Sequence, residues 1–156
     1  MKKIKILYWI LLAITILISI SIVTDFFYSI NMKSTFEVAN QNTILGYYTQ
    51  FIYPVLFTVL ILGLVYILFA LKAIIVFGGF NSRSTMNFKY AGTAIGLYGF
   101  GYLLFQLNFI YSIDASKIFT NSVSSIFITI IGYGIYSFSE ILKTGELLKQ
   151  ENDLTV

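Results

Sequence analysis

The sequence predicts an all-α fold: an integral membrane four-helix bundle with both termini in the cytoplasm. Of 156 residues, 58% are hydrophobic and 11% charged, against about 25% charged in ordinary soluble domains. The apolar residues gather in four runs, each near the roughly 20 residues that a helix needs to cross a bilayer. Most of the Lys and Arg flank the ends of those runs on one side of the implied membrane, as the positive-inside rule requires. Four spans with short connections leave room for a single domain, residues 1–156.

The first run covers residues 6–27. MKKIK ahead of it has the charged start of a secretory signal, but such a signal has an apolar region of roughly 7 to 15 residues and a small-residue cleavage site. Neither holds here, so the run reads as an uncleaved span entering from the cytoplasm. Residues 29–50, rich in Ser, Thr, Asn and Gln, form the long external loop. Ser34 and Glu37 have the spacing of a capping box, which predicts one short helix within it.

The second span covers 53–77, with Pro54 in the first helical turn, where its missing N–H is tolerated, and Gly78-Gly79 as the stop. Lys72 lies near the inner end, with its ammonium reaching the headgroups. Residues 78–89 form a cytoplasmic connection in which Ser82 or Ser84 caps the next helix. The third span is 90–111, the segment 112–117 is a tight external turn, and the fourth span is 118–142, leaving a cytoplasmic tail, 143–156. This topology puts Lys2, Lys3, Lys5, Lys72, Arg83, Lys89, Lys143 and Lys149 inside and Lys33 and Lys117 outside.

Small residues suggest how the spans meet. Ser125, Thr129, Gly132 and Ser139 recur at helical spacing on the fourth span, and Gly92, Gly96 and Gly99 form a matching face on the third, with Gly92 and Gly96 in the G-x-x-x-G spacing. Counting about 1.5 Å per residue back from the turn sets Gly99 level with Gly132, Gly92 with Ser139 and Gln106 with Ser125. Gln106 facing lipid would leave an amide unpaired, so it is expected to face inward and bond to Ser125 or a near neighbour. The same counting on the first two spans sets Ser19 near Gly63. Asp25, Gln106 and Asn108 make up a candidate outer polar pocket, although Asp25 by itself reads as an interfacial carboxylate.

Chemistry is sparse. The chain has no cysteine and no histidine, which removes thiolate, disulfide and imidazole chemistry. No nucleophile–base pair and no metal-ligand cluster is evident, so no catalytic, cofactor or metal site is expected and the protein reads as a non-enzyme. The net charge of +3 comes from residues that set topology, so direct nucleic-acid binding is not expected. Transporters usually need intramembrane charges or broken helices, and the span centres have almost none.

The ending KTGELLKQENDLTV resembles that of a family of small bacterial four-span membrane proteins classed as a domain of unknown function. Its pattern, E-G-x-x-L-K-E-E-N-D-L-T-[IV], is met by Gly145, Leu148, Lys149, Glu151, Asn152, Asp153, Leu154, Thr155 and Val156, and Gln150 departs from it. A second family feature, P-F-S-x-x-N before the third span, is answered loosely by Phe80, Ser82 or Ser84, and Asn87, with Gly79 in place of the proline. Genes of that family commonly lie beside one for a small Cro/CI-like helix-turn-helix repressor. The resemblance therefore implies a bacterial inner-membrane protein that acts as a regulatory partner of a cytoplasmic transcription regulator.

In such docking, Leu147, Leu148 and Leu154 would be apolar anchors, and Glu146, Glu151 and Asp153 acidic contacts to a basic surface. The competing expectation for the tail is a helical extension folded against the inner face of the bundle. Two other functions stay open: a toxin-immunity or stress-protection protein, and a small-molecule binding or transport component. Besides the regulator, the expected partners are the lipid bilayer and further copies of the chain in a homo-oligomer.

Overall fold

Long uninterrupted apolar runs leave a chain little alternative to helix, because in lipid each backbone N–H and C=O must be paired within its own segment. A computed structural model describes residues 2–79 and 81–154, apart from the side chains of Lys33, Ser34, Asp153 and Leu154. The sequence features that rest on Phe80, Thr155 and Val156 lie outside it. Five α-helices follow in order: α1 (Lys2–Asn31), α2 (Lys33–Ala39), α3 (Thr49–Phe77), α4 (Ser82–Gln106) and α5 (Ala115–Leu154), with 3-10 turns at Gly46–Tyr48 and Leu107–Phe109. No strand occurs among the described residues.

Among the described residues three helices are long and apolar enough to cross a membrane: α1, α3 with the turn that precedes it, and α5. The third apolar run was expected to match them, but α4 is not in this set. It ends at Gln106 instead of Tyr111, and its four glycines and three tyrosines dilute the aliphatic content.

Helix ends differ from expectation in instructive ways. Gly78 does stop α3, with φ at 90° and its N–H bonded to the Ile74 carbonyl at 3.0 Å, a left-handed conformation that glycine adopts without steric cost. The cap of α4, however, is Asn81 and not Ser82 or Ser84. Its Oδ1 accepts the Ser84 N–H at 2.8 Å, and the Ser84 hydroxyl donates to the Asn81 carbonyl at 2.9 Å. The short external helix exists, but α2 starts after Met32 without a side-chain cap, so Ser34 lies inside the helix and does not begin a capping box. Pro54 also sits deeper than expected. Because α3 starts at Thr49, Pro54 falls in the second turn, and the Gln50 carbonyl loses the donor that residue i+4 ordinarily supplies.

Neighbouring long helices pair in antiparallel fashion: α1 on α3, α3 on α4, and α4 on α5. At the end that holds the start of α1, Ala70, Leu71, Phe88 and Leu142 form a buried cluster, against which Ile4, Tyr8 and Leu11 of α1 pack. Toward the opposite end rings take over, with Phe57 on Tyr98 and Tyr53 on Phe105 at centroid separations of 5.7 and 4.8 Å. Gly63 was expected to meet Ser19, but it faces α4, where an added Cβ would come within 2.6 Å of Ile95 Cγ1. The small face of α3 is used by α4 and is not available to α1. The exterior is apolar, with Leu17 67% and Phe127 62% exposed, a surface suited to lipid and costly in water.

Candidate functional site

The small-residue seam joins α4 to α5. A Cβ on Gly132 would strike the Gly96 amide nitrogen and lie 2.6 Å from Gly96 Cα and 2.9 Å from the Gly92 carbonyl oxygen. One on Gly92 would strike the Tyr136 nitrogen, and one on Gly99 would lie 2.6 Å from the Thr129 nitrogen and 2.9 Å from the Ser125 oxygen. Gly96 contributes differently: its own Cβ would meet nothing within 4 Å, and what matters is its bare backbone under Gly132. The hydroxyls of Ser125, Thr129 and Ser139 donate to carbonyls of their own helix, those of Asn121, Ser125 and Tyr136, at 2.8, 2.9 and 2.6 Å. Close van der Waals packing therefore holds this seam.

Its register differs from the expected one. Gly99 meets Ser125 and Thr129 instead of Gly132, Gly92 meets Gly132 and Tyr136 instead of Ser139, and Gln106 meets Asn121 instead of Ser125. The slip is about one helical turn, roughly 5.4 Å. Its cause lies in the connection. α5 already begins at Ala115, and the N–H groups of Lys117 and Ile118 bond to the Asp114 carbonyl at 2.9 and 3.2 Å. Lys117 thus belongs to the helix, the turn is centred earlier, and every counted level moves with it.

The three residues of the candidate outer pocket fall in three separate settings. Gln106, 2% exposed, faces α5 with Oε1 accepting from Asn121 Nδ2 at 3.3 Å, while its Nε2 is buried without a partner. Asn108 is a staple for the loop between α2 and α3: Oδ1 accepts the Leu45 N–H at 2.7 Å, Nδ2 donates to Thr49 Oγ1 at 2.8 Å, and its carbonyl accepts the Ile44 N–H at 3.0 Å. The hydroxyls of Thr43 and Thr49 lie 2.9 Å apart beside it. With its amide so committed, Asn108 has a structural task.

Asp25 lines a cavity of about 200 Å³ between the last turns of α1 and the first turns of α3, beside α2, and neither Gln106 nor Asn108 lines it. The structure instead brings Asp25 together with Ser29, Phe36, Gln50, Tyr53 and Phe57. Gln50, in the first turn of α3, is 5% exposed, and both its amide nitrogen and its amide oxygen are buried without a hydrogen-bond partner. Sequence reasoning missed this residue because it looked like the end of a solvated loop. The usable signal was its position four residues before Pro54.

At the opposite end, α5 continues without a break through Gly145 to Leu154. From residue 143 to residue 152 no described side chain is buried, and Leu147 and Leu148 are 51% and 57% exposed. The tail does not fold back on the bundle, because α5 stays helical through Gly145 to Leu154. Glu151 lies one turn beyond Leu147 on the same face, while the Asp153 and Leu154 side chains lie outside the described residues. Comparison with protein-family models, with curated proteins and with solved structures finds no match to this chain.

Proposed function

We propose that the chain is a multi-pass protein of the bacterial inner membrane, crossing it four times with both termini in the cytoplasm, and that it is a non-enzymatic regulatory partner of a small helix-turn-helix transcription regulator. The fourth crossing in this reading is α4. At 25 residues it is about 38 Å long, and it lies antiparallel between α3 and α5, so it traverses the same depth as they do. Neighbours on two sides reduce its lipid contact and with it the need for aliphatic residues.

The regulatory reading rests on the two exposed leucines, Leu147 and Leu148, on the last turns of α5. Past Leu142, its last buried residue among those described, the helix runs on to Leu154, a projection of roughly 18 Å. Two adjacent leucines stay exposed on it. Exposed leucines beside carboxylates suit an apolar anchor ringed by acidic contacts, the complement of a basic DNA-binding surface. Capture by such a tail keeps a repressor off DNA. The resemblance of the ending to the ENDLT[IV]-type tail supports the same partner.

Two measurements test this. The absence of native cysteine makes topology mapping clean: with a membrane-impermeant maleimide on intact cells, Ile44→Cys should label and Leu147→Cys should not, and labelling of Leu147→Cys from outside would overturn the topology. For docking, a small helix-turn-helix regulator of the class that the resemblance implies is co-purified with the full-length chain, with a chain ending at Gly145, and with the Leu147→Asp/Leu148→Asp double variant. Recovery should fall at least tenfold for both altered chains. Equal recovery from all three would exclude the tail as the docking element.

A further inference from the structure

We propose that the outer cavity is a binding site for a small organic ammonium compound, with the Asp25 carboxylate as counter-ion and the Gln50 amide as the internal hydrogen-bonding group. Four observations converge on that chemistry. Among the described residues that line the cavity, Asp25 has the one formal charge, which repels an anion and attracts a cation. The walls are aromatic, with Phe36, Tyr53 and Phe57 facing the same space, and ring faces attract ammonium groups.

Gln50 supplies the third. A buried primary amide with neither its donors nor its acceptor used is costly in a folded chain, and such groups are retained where a ligand completes them. Pro54, also in the lining, withholds the helical donor from the Gln50 carbonyl and adds an acceptor at the same point. The fourth is volume. About 200 Å³ lies below the roughly 300 Å³ at which pockets for drug-sized ligands begin, which fits a metabolite-sized amine. A metal ion is the poorer occupant, because among the described residues no group of three His, Cys, Asp or Glu comes together, and hard cations take six or more oxygens or keep several waters.

The arrangement places the ammonium at the rim, beside Asp25, which is exposed, and the apolar body inward among the rings, with a polar substituent reaching Gln50. Access is from the outer side, between α1 and α3. The site is complete without any partner of the tail.

The test uses the full chain in phosphatidylcholine nanodiscs. Equilibrium dialysis measures binding of primary ammonium probes, propylammonium and 2-phenylethylammonium beside 3-hydroxypropylammonium and 2-(4-hydroxyphenyl)ethylammonium, which add a second polar group, against 2-phenylethanol and 3-phenylpropanoate as neutral and anionic comparators and empty nanodiscs as the blank. At least one ammonium probe should bind saturably at one site per chain, ten times or more tightly than either comparator. Asp25→Asn should weaken it at least tenfold. Gln50→Leu should weaken probes with a second polar group and raise the melting temperature of the unliganded protein, because it removes two unsatisfied polar atoms; a merely structural glutamine would give a lower one. The proposal is overturned if no ammonium probe binds above the blank, if the neutral comparator binds equally, if Asp25→Asn keeps full affinity, or if Gln50→Leu melts below the parent.

Discussion

Replacing Gly132 with leucine should separate α4 from α5 and lower the melting temperature in detergent by roughly 6–12 °C, the equivalent of about 3 kcal/mol for a chain of this length. The reason is the identity of the atoms that a side chain would meet. Gly96 N, Gly96 Cα at 2.6 Å and the Gly92 oxygen at 2.9 Å are all backbone, so no rotamer change can make room and the helices must move as bodies. Gly92 and Gly99 face the same kind of obstacle on the opposing helix. Gly96→Ala is the matched control: a Cβ there meets nothing within 4 Å, and alanine is the better helix former by up to about 1 kcal/mol. Its melting temperature should equal or slightly exceed the parent's. A parent-like Gly132→Leu would refute the close seam, and an equal fall in both variants would show that loss of glycine itself, not contact, is responsible.

Asn108→Ala should untie the external loop at a cost of about 2–3 kcal/mol, since buried groups left unpaired cost about 1–3 kcal/mol each and water entering a loop recovers part of that. The Leu45 N–H loses its acceptor at 2.7 Å, and Thr49 Oγ1 loses its donor at 2.8 Å. Amide exchange at Leu45 and protease cleavage within residues 40–48 should both accelerate. Asn108→Asp should be milder, because a carboxylate still accepts from Leu45 and the Thr49 hydroxyl can turn to donate to it. Unchanged exchange at Leu45 in Asn108→Ala would show that the loop is held by other contacts.

How far the sequence could be read depended on the kind of question. The runs at 6–27, 53–77 and 118–142 each lie within one long helix, since apolar length alone demands helix there. The run at 90–111 does not, because α4 ends at Gln106 and a 3-10 turn follows. Caps were read less well: Ser82 and Ser84 were plausible by type, but Asn81 is the residue whose backbone is extended at the boundary, with φ −148° and ψ 147°. The seam shows how a small error grows. Placing Lys117 in the turn instead of in α5 displaced each pairing from Gly92 to Gln106 by about one turn, although the residues on each face were read from helical periodicity alone.

Gln50 marks the boundary between the two kinds of knowledge. Composition, apolar run length and helical spacing are properties of one dimension, and by themselves they determine an all-helical, lipid-facing chain with small-residue faces on α4 and α5. Which glycine meets which carbonyl, which amide becomes a loop staple, and which amide is left unpaired beside Asp25 depend on where separate helices stop and how they are offset. The α4–α5 offset follows from where the connection ends, and the others from non-local packing, in which the Gly63 face of α3 goes to α4 and α1 takes what remains. Only the tertiary structure could therefore replace the grouping of Asp25, Gln106 and Asn108 with that of Asp25 and Gln50.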